Sequence, residues 1–163
     1  MNLSRGFEFS AISISLWEKG LPILGVVQHL FTGQVFSSCK KLGAWLNEKE
    51  LYISSIKNKS EAILATGFPS GSSFSKHSIN EFVLNVKHYK KVRMLGSAAL
   101  MLSYVASGIF DVYHEKDIYI WDVAAGLALI SEAGGDFSIT QGSSIFKYNV
   151  IAANKILLKK IIC

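Results

Sequence analysis

The chain has 163 residues, of which 50% are apolar and 18% are charged, which is enough for one domain with a hydrophobic core. This composition excludes an intrinsically disordered chain, and no apolar run reaches the roughly 18 residues of a membrane helix. The formal charge of +5 comes from scattered lysine pairs such as Lys40-Lys41 and Lys90-Lys91, not from a basic stripe, so direct nucleic-acid binding is not expected.

The two cysteines, Cys39 and Cys163, lie far apart and show no metal-ligand spacing. We expect both to be free thiols and no disulfide framework to form. The first residues lack the apolar segment of a signal peptide, so a cytoplasmic location is the default expectation.

The first 60 residues predict an antiparallel meander of short strands joined by tight turns. Residues 10–17 (SAISISLW) alternate small polar and aliphatic side chains, the period of a strand with one buried face. Turns at 18–20 and 32–33 separate the following strands. The predicted strands are 10–17, 21–27, 34–38 and 44–47.

From residue 61 to residue 163 the pattern alternates strands and helices, which predicts an α/β second half of the same single domain. Glycines at 108 and 134–135 end two of the helices, and residues 67–71 (GFPSG) predict a loop. The predicted strands are 62–66, 92–95, 110–113 and 148–152, and the predicted helices are 79–89, 98–107, 123–133 and one from about residue 155.

Asp122 directly precedes an apolar run and therefore lies at the start of a helix. An aspartate in this place most often caps the helix and suits its dipole. Its neighbours change that interpretation, since Ala124-Ala125-Gly126 allows close packing and Glu132-Ala133-Gly134-Gly135 ends the helix.

The whole stretch from Trp121 to Gly135, WDVAAGLALISEAGG, resembles the C-terminal signature of the inositol monophosphatase family. The resemblance implies a layered α/β (α+β) sugar-phosphatase fold, in which Asp122 both ligates a divalent metal and contacts the sugar alcohol. The cofactor that it implies is Mg²⁺, and the substrate is a small phosphorylated polyol.

Two further motifs match the same family. Gly96, Ser97 and Ala98 stand between a strand and a helix, and the resemblance places them in the substrate pocket. Glu115 lies seven positions before Asp122, where the family has a glutamate that bonds to substrate hydroxyls. Arg93 opens the first of these blocks and is expected to have a structural or assembly role, whereas His114 and Asp117 are expected to be surface residues.

Weaker matches cover most of the remaining chain, at 2–9, 43–47 and 150–154. In the family, the segment like 2–9 directly follows an Asp-Pro-Ile/Leu-Asp-Gly-Thr motif that supplies further metal ligands. This motif is absent from the 163 residues, so we expect an N-terminally truncated form: a single partial domain over 1–163 without a complete catalytic set. Asp111, Glu132 and Asp136 do not match ligand positions, and a chain with Asp122 alone is expected to hold Mg²⁺ poorly and to be nearly inactive.

The reaction that the resemblance implies is hydrolysis of myo-inositol monophosphate to inositol and phosphate. Related phosphatases act on fructose bisphosphate, histidinol phosphate or 3′-phosphoadenosine nucleotides, but the Glu115–Asp122 spacing favours the inositol type. The alternative is a non-catalytic interaction module, because some bacterial relatives are associated with RNA polymerase. A homodimer or a complementing N-terminal fragment are the expected protein partners, and no membrane is expected.

The strand at 10–17 has a second consequence. Without helices to cover it, its aliphatic side chains and its edge are expected to be exposed, which favours poor solubility or dependence on a partner.

Overall fold

Five short antiparallel strands form the first sheet of the computed structural model, which describes residues 2–68 and 75–163. Each strand pairs with the next in sequence because tight turns with left-handed residues, such as Lys19-Gly20, reverse the chain. A single 3-10 turn, Leu3–Arg5, precedes them. The strands are β1 (Ala11–Glu18), β2 (Leu21–His29), β3 (Val35–Cys39), β4 (Gly43–Leu46) and β5 (Lys49–Glu50).

The second sheet is mixed, with the strand order β7-β6-β8-β10-β9. Its strands are β6 (Ile63–Ala65), β7 (Lys91–Arg93), β8 (Val112–Tyr119), β9 (Gly135–Gln141) and β10 (Lys147–Asn154). β6 runs parallel to β7 and β8, whereas β10 pairs antiparallel with β8 and β9. The helices are α1 (Lys76–Val86), α2 (Ala98–Ala106), α3 (Ile120–Glu132) and α4 (Lys155–Ile162), and a 3-10 turn covers Lys59–Glu61.

This mixed α/β architecture confirms the predicted fold class. Two strands were missed, β5 and β9, and β8 continues to Tyr119 although its prediction stopped at residue 113. Helix α3 begins three residues before its predicted start, at Ile120. Of the predicted loop at 67–71, Gly67 and Phe68 form no helix or strand, and residues 69–71 lie outside the described residues.

Helix α3 is the centre of the core. Its residues from Val123 to Ile130 are all buried, since the helix packs against the first sheet on one side and against α2 on another. Two glycines make this approach close. A Cβ on Gly25 of β2 would lie 2.4 Å from the backbone oxygen of Ala125, and a Cβ on Gly126 would lie 2.4 Å from Cβ of Leu102.

The outer face of β1 is not covered by any described residue. Ile12, Ile14 and Leu16 are 49%, 60% and 57% exposed, and β1 is an edge strand. The expected apolar surface and free edge are therefore both confirmed. No helix within residues 2–68 or 75–163 is long and apolar enough to cross a membrane.

We predict that Gly25→Ala lowers the free energy of unfolding by about 2 kcal/mol or more, because the added methyl group meets a backbone atom that moves only with the whole helix. Gly126→Ala is expected to cost less, since alanine gains about 1 kcal/mol in helix propensity. Chemical denaturation measures both. Ser15→Ala, at an exposed position of the edge strand β1 that pairs with Gly25, is the control and should change stability by less than about 0.5 kcal/mol. Equal stability of all three variants would contradict the close packing.

Candidate functional site

A cavity of about 600 Å³ lies where α2 and α3 begin, and all five predicted substrate residues line it. They arrive from three separate segments. The turn before α2 supplies Gly96 and Ser97, and α2 begins with Ala98. Strand β8 supplies Glu115, and the first turn of α3 supplies Asp122. The structure thus brings together residues that lie up to 26 positions apart in the sequence.

The turn before α2 is fixed by Asn2. Its side-chain amide donates to the backbone oxygens of Phe9 and Leu95, both at 2.8 Å. Gly96 has a φ of +74°, and a Cβ there would lie 3.0 Å from the Asn2 side chain, so glycine suits both the backbone and the space. The segment at 2–9 therefore holds the loop that carries the predicted pocket residues.

Ser97 is the N-cap of α2, but its side chain makes no capping hydrogen bond. Its hydroxyl makes no hydrogen bond elsewhere in the described part of the chain and remains available to a ligand. The backbone N–H groups of the first turn, at Ala98 and Ala99, also border the cavity. A helix N-terminus with free N–H groups favours oxygen acceptors and negative charge.

Asp122 is the third residue of α3, and the N-cap is Tyr119. The side chain of Asp122 is therefore not a cap, and within the described residues it accepts no hydrogen bond. It is half-buried on the cavity wall, and this burial raises the pKa of the carboxyl group. An unpaired carboxylate in this place is free to bind a cation or a hydroxyl group.

Glu115 is the most buried of the five, with 6% of its surface exposed. Its carboxylate rests against Gly67, where a Cβ would lie 2.7 Å from both oxygens, and it accepts a hydrogen bond of 2.9 Å from the hydroxyl of Tyr113. Burial raises the pKa of Glu115 to about 7, and the charge of Asp122 adds to the rise, whereas the Tyr113 hydrogen bond opposes it. At neutral pH the group therefore exists in both protonation states.

The remaining carboxylates have structural partners. Asp111 accepts hydrogen bonds from the Ser54 hydroxyl at 2.5 Å and from the backbone N–H of Ile63 at 2.7 Å. Glu132 accepts one from the backbone of Lys41 at 2.9 Å, which closes the turn before β4. Within the described residues, the side chain of Asp136 bonds to the adjacent backbone N–H of Phe137, at 2.9 Å. None of these three residues lines the cavity.

Sequence reasoning missed two charged residues of the cavity wall. Asp117 and Lys147 line it as an ion pair with 2.9 Å between Oδ2 and Nζ, and both are partly buried. The prediction that Asp117 and His114 are surface residues was therefore wrong, since His114 is also partly buried and its pKa falls to about 4 through burial and nearby lysines. Arg93 is exposed on β7 and does not line the cavity, and its assembly role stays a prediction.

The comparison with protein families gives a match over the full chain. The model of the inositol monophosphatase family matches residues 1–163. The chain belongs to the inositol monophosphatase family. The signature from Trp121 to Gly135 therefore identified the family correctly from sequence.

Individual members of the family are similar to this chain in sequence. The chain is 35% identical over 138 residues to an inositol-1-monophosphatase of Rhizobium meliloti, covering 82% of this chain and 51% of the relative. It is 37% identical over 135 residues to the Nus factor SuhB of Xylella fastidiosa, covering 82% of this chain and 49% of the relative. The chain thus spans about half the length of these curated relatives.

Solved structures of the family superpose on nearly all of the chain. The SuhB structure from Mycobacterium tuberculosis gives a TM-score of 0.89 at 29% identity, over 99% of this chain and 65% of that one. The extragenic suppressor protein suhB from Bartonella henselae gives 0.84 at 33% identity, over 98% and 62%. The two-sheet arrangement around α3 is therefore the family fold.

The burial of Glu115 predicts a pH-dependent stability. Because its pKa in the folded protein, about 7, lies above its ordinary value of 4.5, ionisation disfavours the folded state as the pH rises through this window. Relative to Glu115→Gln, the native chain should lose about 3 kcal/mol of unfolding free energy between about pH 4.5 and about pH 8.

Chemical denaturation at the two pH values measures this difference. Glu18→Gln, at an exposed position of β1, controls for the general loss of one charge. If the stability difference between the native chain and Glu115→Gln stays constant between these two pH values, a raised pKa of the Glu115 carboxyl group is excluded.

Proposed function

We propose that this chain forms the polyol-binding wall of a Mg²⁺-dependent phosphate monoesterase that acts on an inositol-monophosphate type of substrate. The observation that carries the proposal is the convergence of Gly96, Ser97, Ala98, Glu115 and Asp122 on one cavity of about 600 Å³. Membership of the inositol monophosphatase family supports a phosphorylated substrate. A phosphatase acting on such a substrate must bind both the phosphate and the alcohol.

The chemistry of the wall suits a polyol. Ser97 offers a hydroxyl that both donates and accepts, and the first turn of α2 offers backbone N–H donors. Glu115 accepts hydrogen bonds when ionised and also donates one when protonated, and both forms exist near neutral pH. Each hydroxyl group of a polyol both donates and accepts hydrogen bonds, and this wall offers partners of both kinds.

The metal needs more ligands than this wall provides. Mg²⁺ requires near-octahedral oxygen coordination, usually with more than one carboxylate. Within the described residues no group of three or more His, Cys, Asp or Glu side chains is placed to hold a metal ion. Asp122 is the proposed metal ligand of this chain. The described residues do not by themselves fit a magnesium site.

Equilibrium binding of myo-inositol tests the proposal. We expect the chain to bind it, and we expect Glu115→Ala to weaken the affinity by about ten-fold or more, because a hydrogen bond to a charged group contributes about 1.5 kcal/mol or more. Calorimetric titration measures the affinity. Asp136→Ala, which removes an exposed carboxylate outside the cavity, should bind as tightly as the native chain. Equal affinity of Glu115→Ala and the native chain would contradict the proposal.

A second candidate function is a non-catalytic interaction module. It is favoured by the relative named Nus factor SuhB, to which this chain is 37% identical, and by the uncovered apolar face of β1. Capture of transcription proteins by the native chain and equally by Asp122→Asn, without myo-inositol binding, would favour this function. If Asp122→Asn loses both the capture of transcription proteins and the binding of myo-inositol, the polyol site is favoured.

A further inference from the structure

The segment that joins Glu115 to Asp122 contains a β-bulge. Glu115 of β8 lies opposite Val150 of β10, and Ile118 lies opposite Tyr148, so β8 has one more residue than β10 across this stretch. The extra residue lies at Lys116–Asp117. A bulge of this kind bends a strand and redirects the side chains that follow it.

The bulge shifts the alternation of the strand by one residue. Tyr113 and Glu115 lie on the same face of β8, since the hydroxyl of one bonds to the carboxylate of the other. Ile118 of β8 packs against the core cluster that contains Tyr113, although it lies three positions from Glu115. Without the extra residue, strict alternation would turn Ile118 away from that core.

Asp117 holds this bulge with its backbone N–H and its carboxylate. Its backbone N–H donates to Oδ1 of Asn149 at 3.1 Å. Its carboxylate accepts three hydrogen bonds, from the backbone N–H of Ser143 at 2.7 Å, from the Ser143 hydroxyl at 2.9 Å and from Nζ of Lys147 at 2.9 Å. All of these partners follow the bulge by more than 25 positions and belong to β10 or to the turn between β9 and β10.

The surroundings match the carboxylate in shape and charge. A Cβ on Gly142 would lie 2.8 Å from Oδ1 of Asp117, so glycine leaves the room that the side chain occupies. Lys147 also lies over the ring of Tyr119, with 5.1 Å between Nζ and the ring centroid. The side chains of Lys147 and Asp117 are 18% and 28% exposed.

The backbone of Asp117 alone would favour glycine, because its φ is +58°. Left-handed backbone is strained for an ordinary residue, and aspartate tolerates it when its side chain bonds locally. Here the side chain bonds to a distant turn instead. The carboxylate thus compensates for the strained backbone by connecting the bulge to the turn at 142–147.

We propose that Asp117 is a positioning residue of the polyol site, which fixes Glu115 and Asp122 relative to each other by joining the bulge to the turn at 142–147. The inference rests on the function proposed above, because it assigns Asp117 a role in that same site. Glu115 directly precedes the bulge, and Asp122 follows at the start of α3, so the conformation of the bulge sets the path between them.

The test compares Asp117→Gly with Asp117→Asn. Glycine keeps the backbone conformation and removes the side chain. Asparagine has nearly the same shape as aspartate, and its side-chain amide still forms hydrogen bonds with Ser143. We expect Asp117→Gly to accelerate hydrogen exchange of the amides at 116–122 by about ten-fold or more and to weaken myo-inositol binding by about five-fold. Asp117→Asn should restore most of both losses, because its Oδ1 still accepts from the backbone N–H of Ser143 and the ion pair with Lys147 is what it lacks.

Asp136→Gly is the matched control, because Asp136 lies exposed on β9 of the same sheet and bonds only to the adjacent backbone. It should leave exchange at 116–122 and inositol affinity unchanged. The inference is overturned if Asp117→Gly binds myo-inositol as tightly as the native chain, if its exchange increases uniformly along the chain, or if asparagine fails to restore binding.

The two proposals fail in different ways. If the native chain does not bind myo-inositol, the proposed function fails, and hydrogen exchange alone then decides the inference. Selective acceleration at 116–122 in Asp117→Gly then supports the structural connection, and unchanged exchange there overturns it.

Discussion

The close approach of helix α3 to strand β2 and helix α2 is the constraint on which the site depends. Gly25 and Gly126 permit it, because a side chain at either position would overlap the neighbouring element at 2.4 Å. Dense packing of this kind resists small displacements, so the helix has one position relative to both partners. Since Asp122 lies in the first turn of α3, this position also determines where its carboxylate enters the cavity.

The other parts of the cavity are fixed by polar contacts. Asn2 joins the N-terminal segment to the turn that carries Gly96, and Gly67 gives the carboxylate of Glu115 the space it occupies. Burying Glu115 beside Asp122 disfavours its ionised form, and this accounts for the rise of its pKa to about 7. The packed core thus supplies the rigidity, and the polar contacts supply the chemistry of the wall.

The sequence predicted the fold class and the family because local patterns carry that information. The alternation at 10–17 and the apolar run after Asp122 both became regular elements close to where they were predicted. Strand β9 was missed although Phe137 and Ile139 alternate with polar residues, a short signal directly after the glycines that end α3. The full extent of β8 was missed because its charged residues, HEKD, are typical of a loop.

The site was predictable only in part. Residues that match a motif, such as Glu115, were found, and the structure places them on one cavity, although their binding roles stay predictions. The role proposed for Asp117 could not be predicted from the sequence. Its partners Ser143 and Lys147 lie 26 and 30 positions away, and only the fold brings them near. Contacts between distant segments leave no periodic pattern in a single sequence.

The most direct test of the central claim is chemical-shift mapping of an isotopically labelled chain during titration with myo-inositol. We expect the largest amide shifts at the residues that converge on the cavity, Gly96, Ser97, Ala98, Glu115 and Asp122. Shifts concentrated on the exposed face of β1, or no shifts at saturating myo-inositol, would contradict this claim.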